Sequence, residues 1–239
     1  IYDVSLGYLE VLFSTILFTM GLLLYQRRRD VKTVVVSGVL FSLALLSKFT
    51  VLPMLAALLF YTLVRVDTTN TPYLNLSLNK NELKTTMAMV LTITVILFTA
   101  YLKYPLIYDY SVIAHSIHPK TQSTAELLTL YMPDLGSFTR KIGFYISLIL
   151  AMFVFRKTKT VYPLLYLTGG LFISLSLSRV NGEFMGYSYY MLPAAPFLLI
   201  SLHTGYSLTR NHKQKTAWTL MVLVLTAVSY THLTLPTKA

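Results

Sequence analysis

The chain has 239 residues, of which 55% are hydrophobic and only 12% charged, with a net charge of +11 and a mean hydropathy of +0.62. Soluble domains carry about a quarter charged residues, so much of this chain is expected to face something other than water. There is no cysteine, which excludes disulfides, zinc–thiolate centres and cysteine nucleophiles. The basic residues fall in short clusters between apolar runs, a pattern expected of membrane topology and contact with anionic headgroups rather than of nucleic-acid binding.

In chain order, the apolar runs are residues 6–25, 34–46, 51–64, 86–106, 142–155, 161–177, 189–208 and 217–228. None alternates in the manner of a transmembrane strand. Backbone in hydrocarbon must satisfy its own hydrogen bonds, so the runs are expected to be helices. The fold class expected is all-α: a polytopic membrane protein with about eight transmembrane or half-membrane helices. An apolar run begins almost at Ile1, so the transmembrane region, residues 1–228, is expected to be truncated at its amino end and also at its carboxyl end. Residues 229–239 resemble translated sequencing-adapter read-through and are expected to be a non-native tail without functional content.

The stretch 34–64 reads either as one long span or as two short ones that turn near Lys48. Two spans place 13 of the 20 basic residues on one side and six on the other, with Lys238 in the tail; one span gives nine against nine. The positive-inside rule therefore favours two short spans, helped by tilt, thinning or snorkelling. The cytoplasmic loops are then residues 26–33, 65–85, 156–160 and 209–216. The outer side holds the turn at Lys48, a long loop at 107–141 and a short one at 178–188. Within the long loop, residues 125–131 are expected to form a short helix on the membrane surface. The protein is accordingly read as a multi-pass integral membrane protein of the cell membrane, or of the endoplasmic reticulum in a eukaryote.

The nine acidic residues divide unevenly. Asp30, Asp67 and Glu82 fall on the cytoplasmic side; Asp3, Glu10, Asp109, Glu126, Asp134 and Glu183 fall on or near the outer side. Chemistry that needs a carboxylate base or ligand is thus expected on the outer face. Asp3 could cap the first helix or bind a metal or an acceptor. Glu10 lies seven residues on, on roughly the same helical face. Lys48, the sole charge between Val34 and Val64, either snorkels to the headgroups or holds a lipid phosphate. The stretch 178–190 carries Arg179, Glu183, two glycines and three tyrosines; an arginine fork suits phosphate, whereas tyrosines suit an interfacial belt. Pro193 and Pro196 bend the chain or start a helix. His115 and His118 are a weak metal pair, because Pro119 opposes a continuing helix. There is no glycine-rich phosphate loop and no nucleophile elbow.

Three features together resemble a known family. They are Asp3 before a span, the Arg27-Arg-Arg29 cluster, and Gly38-Val-Leu-Phe-Ser-Leu-Ala-Leu-Leu-Ser-Lys48 followed by Pro53. With Tyr190-Met-Leu-Pro193-Ala-Ala-Pro196 and Arg179 upstream, the chain is similar to the GT-C glycosyltransferases, in particular the dolichyl-phosphate-mannose protein mannosyltransferase and aminoarabinose transferase types. The family's second glycine and its threonine are Ser42 and Ser47 here. The resemblance implies a transferase that moves a sugar from a polyprenyl-phosphate donor to a protein or lipid-glycan acceptor on the extracytoplasmic face, with membrane lipids around it and no nucleic acid. It makes a divalent metal a candidate cofactor, with Asp3 as metal or acceptor ligand. Lys48 and Arg179 would be the donor-phosphate ligands; Glu183, Tyr189 and Tyr190 would contact substrate. The family's catalytic carboxylate precedes residue 1, so the fragment alone is expected to be inactive. The alternative reading is a transporter or flippase of a lipid-linked substrate. Transporters often show internal repeats and mid-membrane charges, whereas this chain shows no repeat and gathers its acids near one face.

Overall fold

The computed structural model describes the backbone of residues 2–27, 30–67, 75–105, 123–132, 138–181, 189–209 and 211–234, and the side chains of 9–27, 30–64, 79–80, 82–105, 123–132, 138, 141–176, 178–179, 190–209 and 211–223. The chain divides into two compact units, Ile1–His118 and Pro119–Ala239.

The first unit begins with α1 (Tyr2–Arg27) and α2 (Val31–Ser47), which pack closely along each other. Asp30 separates them: its carboxylate accepts from the Thr33 N–H at 2.7 Å, so it caps α2 instead of serving the first helix. The α1–α2 seam is closed by Phe18 against Phe41, with ring centroids 5.2 Å apart, and by the Ser14 hydroxyl donating to the Ala44 carbonyl at 2.9 Å. Lys48 interrupts the helix in an extended conformation (φ −156°, ψ 118°). A 3-10 turn at Phe49–Val51 follows, then α3 (Leu52–Leu63), with Pro53 in its first turn, where a missing N–H costs nothing. The stretch 34–64 is therefore two helices with a joint at Lys48. Each packs against α4 (Lys80–Lys103) more than against the other.

Between α3 and α4, β1 (Val64–Asp67) and β2 (Asn75–Leu78) pair antiparallel, with Val64 opposite Leu78 and Asp67 opposite Asn75. All of this small ribbon but Val64 falls in the segment 65–85, for which the sequence predicts a loop. The rest of the described backbone is helical, so the helical class stands.

The second unit contains α5 (Thr124–Tyr131), α6 (Phe138–Thr158), α7 (Val161–Asn181), α8 (Ala195–Leu208) and α9 (His212–Thr234). The expected short helix at 125–131 is α5. A 3-10 turn at Tyr189–Met191 leads into α8, and Pro196 sits in its first turn, so this proline starts the helix and does not kink it. Helices α6, α8 and α9 meet around Leu150, Val154, Leu202 and Trp218. The Trp218 indole N–H donates to the Leu202 carbonyl at 2.8 Å. A Cβ on Gly205 would stand 2.2 Å from Trp218 Cζ2, so only glycine admits the ring there. Helix α9 runs through Val228 to Thr234 without a break.

Among the described residues, two helical stretches are long and apolar enough to cross a membrane: Leu9–Arg27 and Glu82–Lys103. Three more, Val31–Ser47, Phe49–Leu63 and Val161–Ser176, are apolar but shorter. The 24 residues of α4 span about 36 Å, against a hydrocarbon core of about 30 Å. Leu91, Val95, Phe98 and Leu102 on α4 are exposed. Of the roughly eight transmembrane or half-membrane helices expected from the sequence, two reach full spanning length and apolarity among the described residues.

Candidate functional site

The expected site residues lie in both units. In the first, Lys48 stands at the α2–α3 joint. Its N–H donates to the Ala44 carbonyl at 2.9 Å, closing α2, and its carbonyl accepts from Val51. The chain then re-enters helical conformation, so the side chain leaves from the amino end of the segment that leads into α3. At such an end, backbone N–H groups lack intrahelical acceptors and the helix dipole is positive. The Lys48 ammonium lies 3.2 Å from Glu10 Oε2 on α1. Lys48 is about a quarter exposed and Glu10 about half, and Leu9, Phe13 and Phe49 nearby in sequence are exposed apolar residues. Two residues past Lys48, the Thr50 hydroxyl is buried with no hydrogen-bond partner among the described residues. Hydroxyl oxygens in that condition are uncommon in folded proteins.

Asp3 lies inside the first turn of α1, seven residues before Glu10; its side chain is outside the described residues. The face shared by Asp3 and Glu10 therefore rests on helical periodicity. Glu10 lies within the apolar run of residues 6–25. A charge in such a place is usually compensated by pairing, and Lys48, 38 residues away in the chain, supplies the compensation.

In the second unit, Arg179 occupies the last turn of α7 and is exposed. Its neighbour Ser178 is fully buried and belongs to a polar cluster that the sequence reading missed. The Tyr131 hydroxyl, at the carboxyl end of α5, lies 2.9 Å from Ser174 Oγ and 3.2 Å from Ser178 Oγ. The Tyr145 hydroxyl donates to the Tyr131 carbonyl. Lys141, only 2% exposed, donates its ammonium to the Met132 carbonyl at 2.6 Å. A cation at the end of α5 meets both the last carbonyls and the negative end of the dipole. Helix α5 is thus held at its carboxyl end by α6 and α7. Its amino end is closed within itself: Ser123 accepts from the Glu126 N–H, and Glu126 accepts from the Ser123 N–H, a capping box. The one signal for this cluster in the sequence was a lysine at the edge of an apolar run.

Tyr190 is half-buried in the 3-10 turn before α8. The Tyr189 side chain, Glu183, Asp109, His115 and His118 lie outside the described residues. Among the described residues, no group of three or more His, Asp or Glu side chains gathers to hold a metal ion. Lys48 belongs to one unit and Arg179 to the other. No family model, no curated protein and no solved structure matches the chain.

Proposed function

We propose that this chain is the membrane core of a glycosyltransferase that takes a sugar from a polyprenyl-phosphate donor and delivers it to an acceptor on the extracytoplasmic face. The observation that carries the reading is the joint at Lys48. A lysine stands where one apolar helix ends and another begins, beside an orphaned Thr50 hydroxyl and at the positive end of the following segment. This is the position in which the resembling motif, Gly38 to Lys48 followed by Pro53, would present a cation to a lipid phosphate. The distribution of basic residues favours residues 34–64 as two membrane segments, which supports an outer-side position for Lys48. The exposed apolar rows on α1 and α4 support a hydrocarbon setting.

In the reaction, the acceptor oxygen or nitrogen attacks the anomeric carbon of the sugar. The bond from that carbon to the phosphate oxygen breaks, and its electron pair leaves on the polyprenyl phosphate. Lys48 stabilises the charge that develops there. The acceptor proton goes to a carboxylate base, which the resemblance assigns to the family's first outer loop.

The test is transfer of radiolabel from a polyprenyl-phosphate-linked sugar to membrane acceptors by the whole protein in its native membrane. Label transfer that falls at least about a hundredfold in Lys48→Met supports the proposal, because a fully engaged phosphate ligand is worth several kcal/mol at the transition state. No transfer by the wild type with a panel of donor sugars, or transfer indifferent to Lys48→Met, overturns it.

A further inference from the structure

The ion pair at the joint raises a question that the transferase reading leaves open: what the carboxylate of Glu10 does beside a lysine meant for phosphate. Displacement at an anomeric carbon brings the nucleophile in on the face opposite the departing phosphate. A carboxylate 3.2 Å from the ammonium that grips the phosphate lies on the leaving-group side. Glu10 is therefore badly placed to take the acceptor's proton. It is well placed to occupy the position of a phosphate oxygen.

We infer that Glu10 is an internal anion that holds Lys48 when no donor is bound and must be displaced for the donor phosphate to enter. This rests on the reading of Lys48 as a phosphate ligand. Three observations support it. The pair joins residues 38 apart in sequence, on α1 and at the α2–α3 joint, so it is formed by the tertiary fold and not by helical proximity. Glu10 is the more exposed partner, free to swing towards headgroups or water while Lys48 stays anchored at the joint. An ammonium beside apolar surface is costly without a counter-charge, so an empty phosphate site needs a resident anion that can yield. The pair's partial exposure keeps it weak enough to be exchanged.

The consequence has a sign. If Glu10 competes with phosphate, its loss tightens donor binding; if it merely ties α1 to the joint, its loss loosens the joint and weakens binding. The experiment is equilibrium binding of radiolabelled farnesyl phosphate to the full chain in neutral phosphatidylcholine nanodiscs, for the wild type, Glu10→Gln, Lys48→Met and the double variant. The expected result is binding roughly two- to fivefold tighter in Glu10→Gln, the range an exposed pair allows. Lys48→Met is expected to bind at least about tenfold more weakly, and the double variant no tighter than Lys48→Met. Glu10→Asp, which draws the charge back by one methylene, is expected to fall between wild type and Glu10→Gln, and serves if the glutamine variant does not assemble. Unchanged or weaker binding in the Glu10 variants, with Lys48→Met still impaired, overturns the competition and leaves the donor site standing. Binding that does not depend on Lys48 overturns both.

Discussion

The two units hold their helix-end lysines in settings of different exposure. In Ile1–His118, the charge at the helix joint is met by an opposite charge, Glu10 on Lys48, and the pair stays partly exposed. In Pro119–Ala239, Lys141 is buried and its ammonium donates to the Met132 carbonyl at the end of α5. An exposed pair is exchangeable, and each partner can find water. A buried ammonium on a carbonyl is committed, because leaving it without an acceptor would strand a charge. The first arrangement suits a group that must bind and release; the second suits a fastener.

One glycine from each unit gives a second contrast. Gly205 faces the rigid Trp218 ring with 2.2 Å between a notional Cβ and Cζ2, whereas a Cβ on Gly38 in the first unit would meet Thr92 at 3.1 Å. Gly205→Ala is therefore expected to have the largest effect on stability, costing about 2–3 kcal/mol by forcing Trp218 from its place and breaking its bond to Leu202. Gly38→Ala is expected to stay within about 1 kcal/mol of wild type, because the few tenths of an ångström that Thr92 must give are offset by alanine's higher helix propensity. Thermal unfolding in a mild detergent measures both. A larger loss in Gly38→Ala would reverse the comparison.

Lys141→Met comes next. Losing a hydrogen bond from a charged donor is expected to weaken the docking of α5 by about 1.5–3 kcal/mol. The bundle itself should change little, because methionine fills the site without the desolvation cost of the charge. Hydrogen exchange at the amides of Thr124–Tyr131 should accelerate while that in α6 and α7 stays close to wild type. Equal acceleration throughout would show that Lys141 supports the whole unit. The smallest effect is expected at the exposed pair: a double-mutant cycle of Glu10→Gln and Lys48→Gln should give a coupling below about 1 kcal/mol in stability. A coupling several times larger would make Glu10–Lys48 a fastener as well, and the contrast between the units would fall.

Much of the local architecture was legible in the residues. The polar interruption Ser47–Thr50 and Pro53 located a helix joint, and the structure ends α2 at Ser47 and resumes α3 at Leu52. Ser123 and Glu126, three apart before an apolar run, are enough to start α5. These features act over one or two turns, within reach of periodicity and capping. The short ribbon at Val64–Asp67 and Asn75–Leu78 was missed, because its strands lie in a segment dominated by turn-forming polar residues. The partners of the charged groups were missed for another reason. Glu10 with Lys48 and Lys141 with Met132 depend on how helices cross and on where a turn deposits a carbonyl, and no pattern along the chain records either. The roles expected for Asp3, Glu183 and Tyr189 rest on sequence alone, since their side chains fall outside the described residues.

The two ends of α5 are completed at different moments in the life of the chain. Ser123 and Glu126 close its beginning with groups only three residues apart, so the helix can start as soon as they have been synthesised. The groups that fasten its end come later: Lys141 and Tyr145 belong to the next helix, and Ser174 and Ser178 to the one after. A ribosome moving along this message therefore delivers the groups that start α5 before those that fasten it, and the fastening is completed in two instalments, as first α6 and then α7 arrive.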